Sequence, residues 1–197
     1  MVVCICLSTA CSDTNPQLDK LPAQAVILAF GDSITFGTGA RPEDSYPAEL
    51  ARLTKRRVIN AGVPGEVSAQ GRQRLPALLE RHQPDLLVLC HGGNDILRKL
   101  APTAIRDNLI AMIEAAQRAG VPVILIGVPK FGLFFLESAP VYTKLAEQYR
   151  LAYDGEVLPA IESDNGLKSD PIHPNAAGYR LIADAIHTLM VEVNALE

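Results

Sequence analysis

The 197-residue chain lacks two features that would place it in a specialised class of protein. It has no excess of basic residues, because 18 Lys and Arg stand against 22 Asp and Glu and give a formal net charge of -4. A chain with this charge is poorly suited to follow a phosphate backbone, which argues against nucleic acid as a partner. It also has no apolar run long enough to cross a bilayer. What remains is the composition of one globular domain with a sizeable core.

Cysteine is scarce beyond the N-terminus. Three of the four cysteines, Cys4, Cys6 and Cys11, lie in the first segment, and Cys90 stands alone in the rest of the chain. One cysteine cannot form an internal disulfide, so the domain must be held together by its apolar core. Cys90 ends an apolar run typical of a strand, which favours a buried, inert thiol over a reactive one.

The first eleven residues differ from the rest of the chain. Residues 2–7 are apolar, and residues 7–11 pass through small side chains to Cys11, a pattern that resembles the end of a bacterial lipoprotein signal. The run is short and has no basic residue before it, which a start codon further upstream would explain; the alternative is a disordered hydrophobic tag. The pattern predicts an exported, periplasmic protein with membrane anchoring through lipidated Cys11. Residues 1–20 would be this segment with its linker, and residues 21–197 one domain.

Apolar runs alternate with helix-like segments along that domain. Continuous apolar runs without polar alternation are typical of parallel strands covered on both faces. The alternation therefore predicts an α/β fold with helices on both faces of a parallel sheet. Strands are expected at residues 26–30, 57–60, 85–90 and 123–127, with a weak fifth at 157–161. Helices are expected at residues 42–53, 68–79, 105–116, 141–154 and from 175 onward; Ser68 would cap the second, and Pro76 would bend or split it.

Ser33 follows the first of these strands, in the sequence Gly31-Asp32-Ser33. Ligands of open parallel sheets bind just beyond the carboxyl ends of strands, so Ser33 is placed where chemistry is normally done. The alternative is a plain turn into a helix, with Asp32 or Ser33 as its cap.

The second informative stretch is Asp170-Pro171-Ile172-His173-Pro174, which places a carboxylate three residues before a histidine. A serine hydroxyl becomes a good nucleophile when an imidazole takes its proton, and a carboxylate orients that imidazole. Ser33, His173 and Asp170 can supply these three roles. The alternative is a helix cap beside a surface histidine. The remaining histidines, His82, His91 and His187, lack such a carboxylate neighbour in the sequence.

Acyl transfer also needs donors for the oxyanion that develops in the transition state. Gly65 can bring its backbone N–H close to a ligand because it has no side chain. Asn94, in a Gly-Gly-Asn-Asp turn after the third strand, has a side-chain amide that can donate. Taken alone, Asn94 is equally explained as a residue that closes this turn.

Four blocks of the chain, residues 31–34, 60–65, 92–95 and 170–175, resemble in order the four motifs of the SGNH (GDSL) hydrolase family. The stretch from residue 60 to 79 is most similar to the bacterial thioesterase I, lysophospholipase L1 and arylesterase subgroup. The resemblance implies a flavodoxin-like, three-layer α/β/α fold with a parallel sheet of about five strands. Two positions depart from the family pattern: Ile34 replaces a leucine, and Pro171 replaces a frequent glycine.

The resemblance also implies roles for the residues named above. Ser33 is then the nucleophile and an oxyanion donor through its own N–H, Gly65 and Asn94 are the other donors, His173 is the base and Asp170 orients it. The implied activity is that of a serine esterase, acting on small-molecule carboxylic esters or thioesters through an acyl-enzyme, without metal or cofactor.

Two alternatives differ from this hypothesis in substrate or in class. A deacetylase of sugars would need a polar cleft, whereas an apolar stretch with Phe131, Leu133, Phe134 and Phe135 after the fourth strand favours fatty or aromatic acyl groups. A nucleotide- or flavin-binding module could use the same fold. Residues 31–37 lack the glycine spacing of a dinucleotide loop, however, and Asp32 would repel a phosphate.

Overall fold

The computed structural model describes residues 16–130 and 137–197. Its strands fall into a five-stranded parallel sheet and a two-residue antiparallel pair. In chain order they are β1 (Val26–Gly31), β2 (Arg57–Gly62), β3 (Leu86–Cys90), β4 (Val123–Ile126), β5 (Pro129–Lys130), β6 (Glu137–Ser138) and β7 (Ala152–Asp154). The small pair is β5 with β6, and the other five strands form the main sheet.

The main sheet has the strand order β2-β1-β3-β4-β7. The second strand, β2, lies on one side of β1, and the third strand, β3, lies on the other side, so the direction of strand addition reverses at β1. Ligand sites of open α/β sheets lie at such a reversal of strand order, beyond the carboxyl ends of the strands. Gly31, the last residue of β1, pairs with Gly62 on one side and with Cys90 on the other, so three loops leave the sheet close together.

Eight α-helices, counted over the described ranges, surround this sheet. The most extensive helix–helix contacts join the helix at Tyr46–Thr54 to that at Ala176–Glu192, and the helix at Ser68–His82 to that at Pro102–Arg118. These two pairs belong to the two outer layers. The predicted three-layer α/β/α fold is therefore confirmed. In chain order the helices are α1 (Ser33–Phe36), α2 (Tyr46–Thr54), α3 (Ser68–His82), α4 (Gly93–Leu97), α5 (Pro102–Arg118), α6 (Pro140–Tyr149), α7 (Val157–Ser163) and α8 (Ala176–Glu192).

The core lies between these layers and is built from the apolar runs that the sequence analysis singled out. All five residues of β3 and all four of β4 are buried. The same holds for the inner faces of α5 and α8, where Leu109, Ile113, Ile182 and Ile186 have no exposed surface or almost none. Apolar side chains at helical spacing thus lie against strands that are apolar on both faces.

The prediction of a fifth strand at residues 157–161 is wrong. These residues form α7, and the fifth strand, β7, lies inside the segment predicted as the end of a helix. The helix α6 stops at Tyr149 because Arg150 adopts a left-handed conformation with φ of 49°. Asp154 then accepts hydrogen bonds from the N–H groups of Glu156 and Val157, which opens α7.

The structure also corrects two expectations about α3. The helix runs from Ser68 to His82 as one element, so Pro76 does not split it, and the expected bend stays a prediction. Ser68 is not its cap, since the helix begins at this residue and the N-cap is Val67. The Ser68 hydroxyl instead donates to Asp95, 2.6 Å away, and so ties the start of α3 to α4.

The N-terminal part of the described chain packs against its C-terminal end. The N–H of Leu18 donates to the carbonyl of Val193 at 2.7 Å, and the N–H of Leu21 to that of Ala195 at 3.0 Å. Cys11 and the predicted signal segment lie outside the described residues, and the division at residue 20 stays a prediction. Within the described residues, no helix combines the length and the hydropathy needed to cross a membrane.

Candidate active site

Ser33 stands at the tip of β1, as its position in the sequence predicts. Gly31 brings the end of β1 against β3 so closely that a Cβ at this position would collide with the main-chain carbonyl of Cys90. Asp32 is the N-cap of α1 and accepts a hydrogen bond from the N–H of Ile34 at 3.3 Å. The strand therefore passes through Asp32 into a one-turn helix that begins with Ser33. Asp32 caps this helix, as the alternative of a turn predicts, and Ser33 still stands at the strand tip.

Ser33, His173 and Asp170 form a continuous chain of hydrogen bonds. The Nε2 atom of His173 lies 3.0 Å from the Oγ of Ser33. The Nδ1 atom of the same ring lies 2.7 Å from the Oδ2 of Asp170. With Nδ1–H donating to the carboxylate, Nε2 is free to accept the serine proton, which is the arrangement that activates a serine hydroxyl.

The loop before α8 holds the histidine and the aspartate in place. The second carboxylate oxygen of Asp170 accepts hydrogen bonds from the N–H groups of Ile172 at 2.9 Å and His173 at 2.8 Å. Ser169 closes the loop through its N–H, which donates to the carbonyl of His173 at 2.9 Å. Burial raises the pKa of Asp170, but the hydrogen bonds from Ile172 and His173 outweigh it and lower that pKa below its usual value. Asp170 is therefore ionised at neutral pH, where its carboxylate accepts the Nδ1 proton of His173.

Asn94 lines the same cleft as Ser33 and His173. Its side-chain amide donates to the carbonyl of Glu66 at 3.1 Å, and a hydrogen bond from the same amide acts on the buried carboxyl group of Asp32. Gly65 adopts φ of 78° in the exposed turn before Glu66, a conformation that favours glycine. Gly65 is not among the residues that line the cleft in the described chain. Its contribution to an oxyanion site stays a prediction.

A buried ion network supports this side of the site, and the sequence analysis missed it. Arg74 donates to both carboxylate oxygens of Glu66, at 2.9 and 2.7 Å. His91 lies 3.1 Å from the same carboxylate, so this histidine has a carboxylate neighbour in space, although it has none beside it in the sequence. Arg74 is 8 positions and His91 25 positions from Glu66, and no local pattern reveals that both reach its carboxylate. Because the carbonyl of Glu66 holds Asn94, the network fixes one wall of the cleft.

The charges of this network are matched. Burial raises the pKa of Glu66, but the hydrogen bonds from His91 and Arg74 outweigh it and lower the pKa to about 2. Cys90, next to His91 in the chain, is buried, and burial raises the pKa of its thiol. A thiol with a raised pKa is a poor nucleophile, in agreement with the predicted inert role.

The cleft beside Ser33 is lined by apolar side chains and by two buried acids. The predicted substrate-binding residues Phe131, Leu133, Phe134 and Phe135 lie outside the described residues. The apolar lining residues are Ile34, Leu97, Val128, Pro129 and Ile172, and the acids are Asp32, the N-cap of α1, and Glu162. Across the described residues, no group of three or more His, Cys, Asp and Glu side chains is placed to hold a metal ion.

A parallel α/β sheet with a serine, a histidine and an aspartate joined by hydrogen bonds at its carboxyl edge is the arrangement of a serine hydrolase. The GDSL-like Lipase/Acylhydrolase family model matches residues 29–181. The chain belongs to this family and is an ester hydrolase. Family membership decides between the hydrolase and the nucleotide- or flavin-binding alternative in favour of the hydrolase.

Individual relatives agree with this assignment. Esterase TesA of Pseudomonas aeruginosa is 36% identical over 186 residues, which cover 87% of this chain and 91% of the relative. Thioesterase 1/protease 1/lysophospholipase L1 of Escherichia coli is 32% identical over 176 residues, covering 84% of this chain and 83% of the relative. The crystal structure of TesA superposes with a TM-score of 0.75 and 30% identity, covering 85% of this chain and 99% of the solved one.

Proposed function

We propose that Ser33 is the nucleophile of this esterase, His173 its general base and Asp170 the carboxylate that orients His173. The observation that carries the proposal is the hydrogen-bond chain of 3.0 and 2.7 Å that joins the three side chains. The amide of Asn94 in the same cleft supports an oxyanion site there. With the N–H groups of Ser33 and Gly65, it supplies the donors that a developing negative charge needs.

In the acylation half-reaction, the Oγ of Ser33 attacks the carbonyl carbon of the ester while Nε2 of His173 takes the hydroxyl proton. The carbonyl oxygen becomes an oxyanion and accepts hydrogen bonds from the three donors. The tetrahedral intermediate then breaks its bond to the leaving oxygen or sulfur, which receives the proton from His173. The products of this half-reaction are a free alcohol or thiol and an acyl group bound to Ser33.

Deacylation repeats these steps with water. His173 takes a proton from a water molecule, whose oxygen attacks the acyl carbon, and it returns the proton to the Oγ of Ser33 as the acid leaves. Asp170 stabilises the imidazolium in both halves. It accepts the Nδ1 proton and remains ionised, in keeping with its lowered pKa.

The substrate is a small-molecule carboxylic ester or thioester with an apolar acyl group. Support comes from the apolar residues of the cleft, and from relatives named as an esterase and as a thioesterase and lysophospholipase. Each buried methylene of an acyl chain contributes about 0.8 kcal/mol to binding. Phe131, Leu133, Phe134 and Phe135, which follow β5, would extend this apolar wall.

The test is covalent labelling followed by an ester panel. A fluorophosphonate should modify the purified protein once, and mass mapping should place the adduct on Ser33. Ser33→Ala should abolish labelling, while Ser163→Ala, an exposed serine outside the hydrogen-bond chain, should leave it unchanged. Labelling of Ser33→Ala at the wild-type rate would refute the proposal.

We further propose that the protein is exported and anchored to a membrane through a lipid on Cys11. The apolar run followed by small residues and Cys11, and the polar linker after it, support this proposal. The mass of the mature protein from a membrane fraction tests it. A diacylglycerol-modified Cys11 at the N-terminus is expected, and a mature protein that retains Met1 would contradict it.

A further inference from the structure

Glu162 is a buried acid in the wall of the cleft that the proposed mechanism does not use. It lies near the end of α7, and its side chain is 5% exposed. It lines the same cleft as Ser33 and His173, where its neighbours in the wall include Val128 and Ile172. Burying an acid among apolar side chains costs free energy of folding unless the acid has a hydrogen-bonding or charged partner.

The carboxylate of Glu162 has little compensation within the protein. The nearest cation is Lys168, whose Nζ lies 4.0 Å from Oε2. That ammonium donates instead to the main-chain carbonyl of Glu162, at 2.6 Å. Among residues 16–130 and 137–197, no hydrogen bond reaches either carboxylate oxygen. Within these residues the carboxyl group of Glu162 has no hydrogen-bond donor, and it lines the cleft, where a ligand can reach it.

The groups that act on Glu162 can be named. The elements packed against α7 are β6, α8 and the turn at residues 165–167. The charged groups that influence Glu162 are Lys168 and His173, which favour its ionised form, and Asp170, which opposes it. Burial has the largest effect and raises the pKa of Glu162 to about 7. The group therefore changes its charge in the physiological pH range.

The position of Glu162 relates it to the leaving group. In the proposed mechanism, His173 returns its proton to the leaving oxygen or sulfur, so the leaving group must lie beside His173. Glu162 and His173 line the same cleft, and His173 is one of the charged groups that act on Glu162. A charge carried by the leaving group would therefore meet Glu162 in that cleft, beside apolar side chains that strengthen Coulomb interactions.

Resting on the function proposed for Ser33 and His173, we propose that Glu162 selects leaving groups by charge. Its carboxylate binds alcohols that carry a cationic nitrogen close to the ester oxygen, and it disfavours leaving groups with a negative charge at that place. Glu162 is thus a specificity-determining residue. It changes the relative rates of two esters and leaves the chemistry at Ser33 as it is.

Two esters of equal shape test this selection. Butyrylcholine and 3,3-dimethylbutyl butyrate share the acyl group and differ in that a quaternary nitrogen replaces a carbon. The measured quantity is kcat/KM for butyrylcholine divided by kcat/KM for 3,3-dimethylbutyl butyrate, followed between pH 6 and pH 8.5. The ratio cancels the titration of His173, because both esters need the same base. In the wild type it should rise about tenfold with a midpoint near pH 7, a change typical of one partly desolvated charge pair.

Variants separate the carboxylate from its surroundings. In Glu162→Gln, which keeps the shape and removes the charge, the ratio should stay low at every pH. Glu162→Asp keeps a carboxylate and should retain a rise with pH. The matched control is Glu156→Gln at the N-cap position before the same helix, where the side chain is exposed and makes no capping hydrogen bond. This control should behave as the wild type.

The outcomes distinguish this inference from the function on which it rests. A flat wild-type ratio, or an unchanged rise in Glu162→Gln, would overturn the selection by Glu162 while Ser33-dependent hydrolysis stands. Hydrolysis of both esters that survives Ser33→Ala would instead overturn the proposed function. The wild-type ratio needs no variant, so a Glu162→Gln protein that fails to fold would still leave the proposal open to refutation.

Discussion

The Nε2 atom of His173 and the Oγ of Ser33 lie 3.0 Å apart, although 140 positions of sequence separate them. Ser33 comes from the tip of a central strand, and His173 from the loop before the last helix. The two elements belong to different layers of the fold and meet only at the carboxyl edge of the sheet. Transfer of the serine proton to the imidazole depends on this contact.

Ser33→Ala and His173→Ala should each lower kcat on a butyryl ester by at least about a thousandfold, because neither variant can form the acyl-enzyme efficiently. The double variant should be little worse than either single one, since the two residues act as one unit. His82→Ala, a histidine at the end of α3, is the control and should keep wild-type activity. Additive losses in the double variant would contradict the shared role.

Asn94→Ala should lower kcat by about a hundredfold with little change in KM, because the lost donor is used chiefly in the transition state. Asn108→Ala is a matched control, since the Asn108 amide also donates inside the protein, to the Ser68 hydroxyl at 3.0 Å. Asn108→Ala should lower the melting temperature and leave kcat largely unchanged. If the two variants lose kcat and stability in the same proportion, Asn94 is only a turn residue.

Glu66→Gln should lower the free energy of unfolding by about 3 kcal/mol at pH 7, because it leaves Arg74 and His91 without their carboxylate. The pKa of Glu66 falls from an ordinary 4.5 to about 2 in the folded protein. The stabilisation is therefore complete above pH 4.5 and is lost as the pH falls toward 2. Urea unfolding of both proteins at pH 7 and pH 3 measures this difference. An equal difference at the two pH values would contradict the role of the charge.

The effect of Glu162 on the free energy of unfolding should depend on pH in the opposite direction to that of Glu66. Its pKa rises from an ordinary 4.5 to about 7 in the folded protein, so the folded state holds a proton that the unfolded state releases first. The wild type should lose stability relative to Glu162→Gln as the pH rises from 4.5 to 7, by about 1.4 kcal/mol for each pH unit. Above pH 7 the difference should level off. Melting temperatures of both proteins across this range measure the loss, and parallel curves would contradict it.

Local residue patterns determined much of the fold and the core of the candidate site. Three apolar runs predicted β1, β3 and β4, because strands covered on both faces must be apolar throughout. The edge strand β2, which has no buried residue, was predicted from the short segment at residues 57–60. Ser33, Asp170 and His173 were found from their local surroundings, a strand tip for the first and a short proline-flanked spacing for the other two. The same approach failed at β7, a strand of three residues that is too short to show a period. Its neighbour Val157–Ser163 is equally ambiguous, since a short apolar segment suits a strand or a helix.

Only the tertiary structure decided which distant groups share a buried environment. Nothing near Glu66 in the sequence indicates that Arg74 and His91 both reach its carboxylate, and nothing near Glu162 shows that it lines the cleft of Ser33. Whether an acid is held below its ordinary pKa, as Glu66 is, or above it, as Glu162 is, depends on the donors and the burial that the folded chain provides. Residue type and spacing identify a serine, a histidine and an aspartate as reactive groups. The electrostatic environment of the cleft arises only when the layers pack, because it depends on contacts between residues far apart in the chain.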